Sequence, residues 1–464
     1  MIDHIFQLIL FLVIFFGPAC LSLAFTIAGQ KGYLVRFTAY HLLSFLTIWS
    51  GIQVCIALLV GLTGHFELWT VFWIEFMILV VGLGILIGFV RSFSTSPLNL
   101  QYGQQLTVTP ELTLAFYISF LGIILFLHLA AQPIIDYDSL WYHLPFMAHW
   151  YQEFAFTKLP EFARFTADSW IAEQIGYYPY SWEAFCALFI LPFKEDFLVA
   201  LPNLIAWTMF GLSTYLLSLE FGASRFYALA TSVLLLVLPI NLEQINTLHV
   251  DLPLATFFAS SAFFAVAYQR SHSLQNLCLS ILSISILMGI KTSGLVYAAF
   301  IVLLLLLPSL NLLFRSSREF RTGLSKRQVL IFAVILVPIF FLAGFWYFRN
   351  FIEVGNPLGN VSVKLLGISI FSGPLDSSKI RGTTLALLFN PFSLESWKAL
   401  LIKVGGRLQI PFIIFTGLNL LLIPYFRRVA KGFDLIQTLR LLMLLTGSGF
   451  LYWNIAILND LKTD

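Results

Sequence analysis

Asp136 and Asp138 stand two residues apart where the chain leaves a long apolar run, in the stretch Asp136-Tyr137-Asp138-Ser139-Leu140-Trp141-Tyr142-His143-Leu144-Pro145. A carboxylate at a membrane–water boundary can take a proton from an acceptor hydroxyl, or hold a metal ion, while a lipid head group sits at the same depth. Asp138 and Asp136 are therefore candidate bases. A plainer role stands beside that one: Asp138 or Ser139 can cap the following helix, because a short oxygen-bearing side chain satisfies free backbone N–H groups there. His143 can bind substrate or a metal, or stabilise its own turn.

Further acids follow at Glu153, Glu161, Asp168 and Glu173, and then Tyr177-Tyr178-Pro179-Tyr180-Ser181-Trp182-Glu183. Sugars offer apolar C–H faces between their hydroxyls, so aromatic rings such as Tyr142 and Tyr178 beside carboxylates suit a carbohydrate. An interfacial aromatic belt predicts the same residues. Glu183 is either a second acid or a charged helix start favoured by the dipole. Asp251, just before Leu252-Pro253, can orient an acceptor, share a cation or simply begin a helix. Glu75 lies inside an apolar span, where a charge is costly, and no role follows for it from its neighbours in sequence.

These residues need a scaffold, and composition says which kind. Of 464 residues, 59% are apolar and 11% charged, with a mean hydropathy of +0.89. A water-exposed surface needs about a quarter of its residues charged, so the body is lipid-embedded. The net charge of +3, with no basic tail, argues against nucleic acid as a partner. Cys20, Cys55, Cys186 and Cys278 lie singly in apolar stretches, without the spacing of a disulfide framework or a zinc site.

A crossing helix takes about 20 apolar residues. Twelve such runs are expected, over 5–28, 39–63, 68–90, 112–131, 197–219, 226–241, 252–270, 275–290, 295–314, 328–348, 408–426 and 435–458. The shorter stretch 181–193 dips in without crossing. Basic groups at Arg315, Arg318, Arg321, Lys326 and Arg327, at Arg427, Arg428 and Lys431, and at Lys31 and Arg36 all face the cytoplasm if both termini face outward. The fold class is thus an all-α polytopic membrane protein of about 12 transmembrane helices with two large outer loops, 132–196 and 349–407. Four parts follow: N-terminal helices 1–111, a membrane core 112–348, the outer loop 349–407 with an interfacial helix over 394–404, and C-terminal helices 408–464.

Several short motifs, in this order, carry a resemblance. Asp138-Ser139-Leu140-Trp141-Tyr142-His143-Leu144-Pro145 is followed by Tyr178-Pro179 and Glu183, Asp251-Leu252-Pro253-Leu254, Gly289-Ile290-Lys291-Thr292, and Trp346-Tyr347-Phe348-Arg349-Asn350 ahead of Gly355-Asn356-Pro357. The set resembles bacterial GT-C glycosyltransferases of the dolichyl-phosphate-mannose type, RgtA/B/C/D-like, over roughly 130–360. Two departures stand out: three helices precede the acidic loop where simpler members have one, and no late Arg-Tyr element is present.

What the resemblance implies is a GT-C-like membrane enzyme of the bacterial inner membrane, with its active site on the extracytoplasmic face. It would move a sugar from a polyprenyl-phosphate-linked donor to a glycan, lipid or protein acceptor, inverting the anomeric centre. By the same resemblance Asp138 is the base with Asp136 its rival, Asp251 and Glu183 are second acids, Lys291 and Arg349 hold the donor phosphate, and Tyr142, His143 and Tyr178 bind substrate. The resemblance fixes no cofactor and leaves a divalent cation, magnesium or manganese, open. The cations of 349–407, among them Lys364, Lys379, Arg381, Lys398, Lys403 and Arg407, suit either the donor phosphate or phospholipid head groups. A multi-pass transporter or lipid-linked-sugar flippase is the alternative reading.

Overall fold

The structure is a computed structural model that describes residues 2–28, 38–93, 110–159, 174–315, 339–365, 368–373 and 394. The described chain is mostly helical and forms two units. The first comprises Met1–Ala163, Tyr180–Lys291 and Ile331–Gly344, and the second Arg164–Pro179, Thr292–Leu330 and Phe345–Asp464.

The first unit begins with α1 (Ile2–Phe16), α2 (Ala19–Ala28), α3 (Ala39–Leu62), α4 (Leu68–Phe93) and α5 (Pro110–Ala131). Large apolar side chains are exposed along one stripe of several of these helices: Ile5, Ile9, Leu12 and Phe16 on α1, Trp69, Trp73, Met77 and Val80 on α4, and Phe116, Phe120, Ile123 and Leu127 on α5. Steps of three and four make each set one helix face. Such faces in water would be an aggregation hazard, whereas against lipid they are ordinary. This is the membrane character of the chain in its coarsest form.

Proline decides where helices stop. Pro18 has no N–H to offer the carbonyl four residues earlier, and the first span breaks at Gly17-Pro18 into α1 and α2. Gln53 Nε2 reaches across from α3 to donate to the stranded Ile14 carbonyl at 2.8 Å, and Trp49 Nε1 donates to Phe15 O at 2.9 Å. Pro239 repeats the pattern further on. There α9 (Arg225–Leu236) bends by 60° into the segment Pro239–Asn246, which opens with α10 (Pro239–Glu243), and Asn241 Nδ2 donates to Leu235 O at 2.7 Å.

The centre of this unit is α11 (Asp251–Ser271), flanked by α8 (Leu201–Glu220) and α12 (Leu274–Ile290). Small hydroxyl residues let these backbones approach and bond between helices. Ser213 Oγ meets Ser260 Oγ at 2.8 Å, Thr256 Oγ1 donates to Ala206 O at 2.9 Å, and Ser280 Oγ donates to Ser261 O at 3.1 Å. The short α7 (Ser181–Ala187) is a keystone, since successive residues hold different elements. Ser181 Oγ donates to Leu342 O at 2.9 Å in the π-helical segment Ile339–Gly344, Trp182 Nε1 donates to Asn203 Oδ1 at 2.8 Å, and Glu183 meets His143. A Cβ at Gly289 on α12 would lie 2.4 Å from Leu342 O and 2.5 Å from Ser181 Oγ. Gly289→Ala is therefore expected to destabilise the unit by about 1–3 kcal/mol, read as a lower thermal midpoint of the detergent-solubilised protein.

The second unit contains α13 (Gly294–Arg315), α14 (Phe345–Val354) and an antiparallel pair, β1 (Val363–Leu365) with β2 (Ile368–Phe371), in register Lys364↔Ser369 and Leu365↔Ile368. Asn350 Nδ2 donates to Tyr177 O at 2.8 Å, and Asn356 Nδ2 to Val361 O at 2.7 Å, which closes the turn before the ladder.

Helices stand at the expected spans from 39–63 to 295–314, but the count of about twelve crossings does not follow. Among the described residues four helical segments are long and apolar enough to cross a membrane: Asp3–Ile27, Ala39–Leu62, Leu68–Gly88 and Asp251–Ser271. The bent pair at Pro239 would make a fifth. Leu274–Ile290 is a shorter apolar helix, and α5 and α13 are described in full only over Ser119–Ala131 and Gly294–Leu306. The small ladder is a departure from all-α. Spans 408–426 and 435–458, the interfacial helix apart from Leu394, and residues 160–173 lie outside the described residues.

Candidate functional site

Asp136 ends the extended segment that leaves α5. Its Oδ2 accepts from the Ser139 backbone N–H and from Ser139 Oγ, both at 3.1 Å, while its carbonyl accepts from Leu140 N at 3.0 Å. That is an N-cap, which starts the π-helical turn Ser139–His143 and then α6 (Leu144–Glu153). The capping role considered for Asp138 or Ser139 thus belongs to Asp136. Asp138 caps nothing and forms no hydrogen bond among the described residues.

A second loop, 244–250, brings His249 to these acids. His249 Nε2 lies 2.6 Å from Asp136 Oδ2 and 3.9 Å from Asp138 Oδ2. An ionised carboxylate only accepts, so Nε2 carries the proton toward Asp136. The contact to Asp138 is too long for a hydrogen bond. The side chains of Asp138 and Asp136 are 27% and 18% exposed, which leaves Asp138 the more open carboxylate and the one without a donor.

The His249 loop is fixed from below by Asn203 at the start of α8. Wholly buried, Asn203 donates through Nδ2 to Gln244 O at 3.1 Å, Thr247 O at 2.8 Å and His249 O at 3.2 Å. Leu248 N–H donates to Ser139 Oγ at 2.9 Å, tying the two loops together. Gln244 Oε1 accepts Leu252 N–H at 2.7 Å and so caps α11. Neither His249 nor Asn203 was marked by the sequence motifs. The one sign of His249 was its place two residues before Asp251, and nothing local distinguished Asn203 from any polar residue at a helix start.

Asp251 and Lys291, one at the start of α11 and the other just past the end of α12, pair with each other: Lys291 Nζ lies 2.8 Å from Asp251 Oδ1. An acid at a helix N-terminus and a cation at a C-terminus each complement the dipole they meet. One of the three ammonium protons goes to Asp251, and the other two have no partner among the described residues. Lys291→Met is expected to lower the thermal midpoint through about 1–3 kcal/mol, because Asp251 is buried and would lose its partner. Lys291→Met combined with Asp251→Asn should recover most of that loss in the same melting experiment.

His143 and Glu183 form a third pair, Nδ1 to Oε1 at 2.9 Å, with both side chains almost wholly buried. Glu183 Oε2 has no hydrogen-bond partner among the described residues. Tyr142 stacks beside His143 with ring centroids 4.0 Å apart, and Trp141 stacks on Tyr137 at 5.7 Å. A cleft of about 250 Å³ opens beside the Asp136 loop, lined in part by Gln132, Ile134, Asp196, Phe197 and Asn246. Arg349 and Tyr178 belong to the second unit. Arg349 donates to Gly176 O at 3.1 Å and Asn350 Oδ1 at 2.9 Å and lies over the Trp346 ring at 4.9 Å, while Tyr178 N–H donates to Ile175 O at 3.1 Å.

Among the described residues no three or more His, Cys, Asp or Glu side chains are grouped to hold a metal ion. The chain matches no protein-family model, no curated protein and no solved structure.

Proposed function

We propose that this chain is an integral inner-membrane glycosyltransferase that moves one sugar from a polyprenyl-phosphate-linked donor to an acceptor hydroxyl on the extracytoplasmic face. The observation that carries the reading is the state of Asp138: partly exposed, without a donor, and beside a His249–Asp136 pair that fixes the surrounding loops. The resemblance to GT-C enzymes adds the short motifs and nothing more.

In this reaction Asp138 takes the acceptor proton as the acceptor oxygen forms its bond to the anomeric carbon. The bond from that carbon to the phosphate oxygen breaks, its electron pair leaves with polyprenyl phosphate, and the anomeric centre inverts. A carboxylate is a weak base toward an alcohol, so Asp138 acts only as the oxygen loses its proton in the transition state. Lys291, steadied by Asp251 and with two protons to give, is the group suited to the leaving phosphate. The cleft with Gln132, Asp196 and Asn246 offers the acceptor side chains that hydrogen-bond hydroxyls. Tyr142, in the same unit as Asp138 and Lys291, is the candidate for the sugar face.

The test is incorporation of labelled sugar from a polyprenyl-phosphate donor by the purified protein in detergent, where no sealed compartment exists. Turnover is expected. A carrier or flippase, the reading favoured by the broken first span and its buried acid, would give none under those conditions.

A further inference from the structure

Glu75 on α4 is wholly buried, and among the described residues neither of its carboxylate oxygens meets a hydrogen-bond donor. A Cβ at Gly17 would fall 2.4 Å from its Oε2, so the carboxyl presses against the Gly17-Pro18 break and only glycine leaves it room. Gln53 on α3 meets the same break one turn earlier, at Ile14. It is also wholly buried, its amide nitrogen is committed to Ile14 O, and its Oε1 has no donor. Glu75 touches this break at Gly17 and Gln53 at Ile14, and among the described residues Glu75 Oε1, Glu75 Oε2 and Gln53 Oε1 have no donor.

No cation on the surrounding helices supplies the missing charge. The titratable groups on the elements packed against α4 are Asp3 and His4 on α1, Cys20 on α2, and Tyr40, His41 and Cys55 on α3. None of α1, α2 or α3 contains Lys or Arg, and Arg91 lies roughly four turns farther along α4. A bare carboxylate enclosed this way is strongly disfavoured. A purely architectural acid would have found donors, as Asp136 and Asp251 do.

We propose that Glu75 and Gln53 form an intramembrane binding site for one small monovalent cation, a proton or a sodium ion, at the break of the first span. An acceptor set made only of oxygens suits a hard cation, and a proton gives the pocket the single donor it lacks. Pro18 is part of the device, since it frees the Ile14 carbonyl on which Gln53 is anchored. The site is independent of the glycosyltransferase reading and of its residues.

The test uses the full-length protein in liposomes, treated with a lipophilic carbodiimide, which reacts with the neutral acid. Modification of Glu75 is read by mass spectrometry from acidic to alkaline pH, in sodium chloride or choline chloride at equal ionic strength, with Glu75→Gln as the blank. Glu75 is expected to be modified at a rate that falls about tenfold per pH unit once the acid ionises. Slowing by sodium identifies the ion as sodium, and indifference to sodium with a retained pH profile identifies it as the proton. Gln53→Leu is expected to move the pH at which the rate falls, whereas Ser44→Ala, buried on the same helix, leaves it in place. No modification at any pH, a rate indifferent to both pH and sodium, or a profile that Gln53→Leu does not move in folded protein would overturn the proposal.

Discussion

Asp138→Asn is expected to lower sugar transfer by about a hundredfold or more, the span usually lost with a general base. The substitution keeps the shape of the side chain, and Asp138 gives up no hydrogen bond among the described residues, so the thermal midpoint should hardly move. Asp136→Asn makes the informative contrast. It disturbs the cap on Ser139 and the 2.6 Å contact to His249, so activity and melting temperature should fall together. Steady-state transfer assays with melting curves on the same preparations separate the two behaviours. Wild-type turnover in Asp138→Asn would move the base elsewhere.

Asn203→Leu is expected to be the most damaging single change to stability outside the acids. The residue is buried between Trp182, whose ring N–H it accepts, and carbonyls of the His249 loop, to which it donates. An isosteric apolar side chain strands the Trp182 ring N–H and removes the amide donor from the Thr247 and His249 carbonyls, while Gln244 O keeps Thr247 Oγ1, at about 1–3 kcal/mol for each stranded group. Transfer should also fall, because the loop that carries His249 loses its anchor. Asn203→Asp retains the acceptor for Trp182 but not the donors, and should lie between the two in a thermal melt. Equal melting temperatures for Asn203→Leu and the parent would show that the loop is held by something else.

Helix positions were legible because apolar runs of the right length declare themselves, and α3 and α4 begin where expected. The number of crossings was not legible from the same signal. Hydropathy does not foresee that 226–241 bends at Pro239. The acidic loop was found by its residue types, yet the division of labour within it was not. Only the fold reveals that Asp136 caps while Asp138 stands open, because His249 and Leu248 arrive from 113 and 109 residues away. Lys291 was picked for its place after a helix, and its partner Asp251 lies 40 residues away. The pairing of Glu183 with His143 was hidden for the same reason. The β1–β2 ladder escaped because two strands this short leave no alternating pattern to read.

The interior helix α11 is the least apolar of the four membrane-length segments, yet it is almost entirely enclosed. When the ribosome has just released it, Ser213 and the Ala206 carbonyl of α8 are already synthesised, but Ser280 of α12 is not. Such a segment has little incentive to leave the insertion channel for lipid by itself. Its entry into the bilayer is expected to be coupled to α8 and α12, whose hydroxyls and carbonyls meet its own.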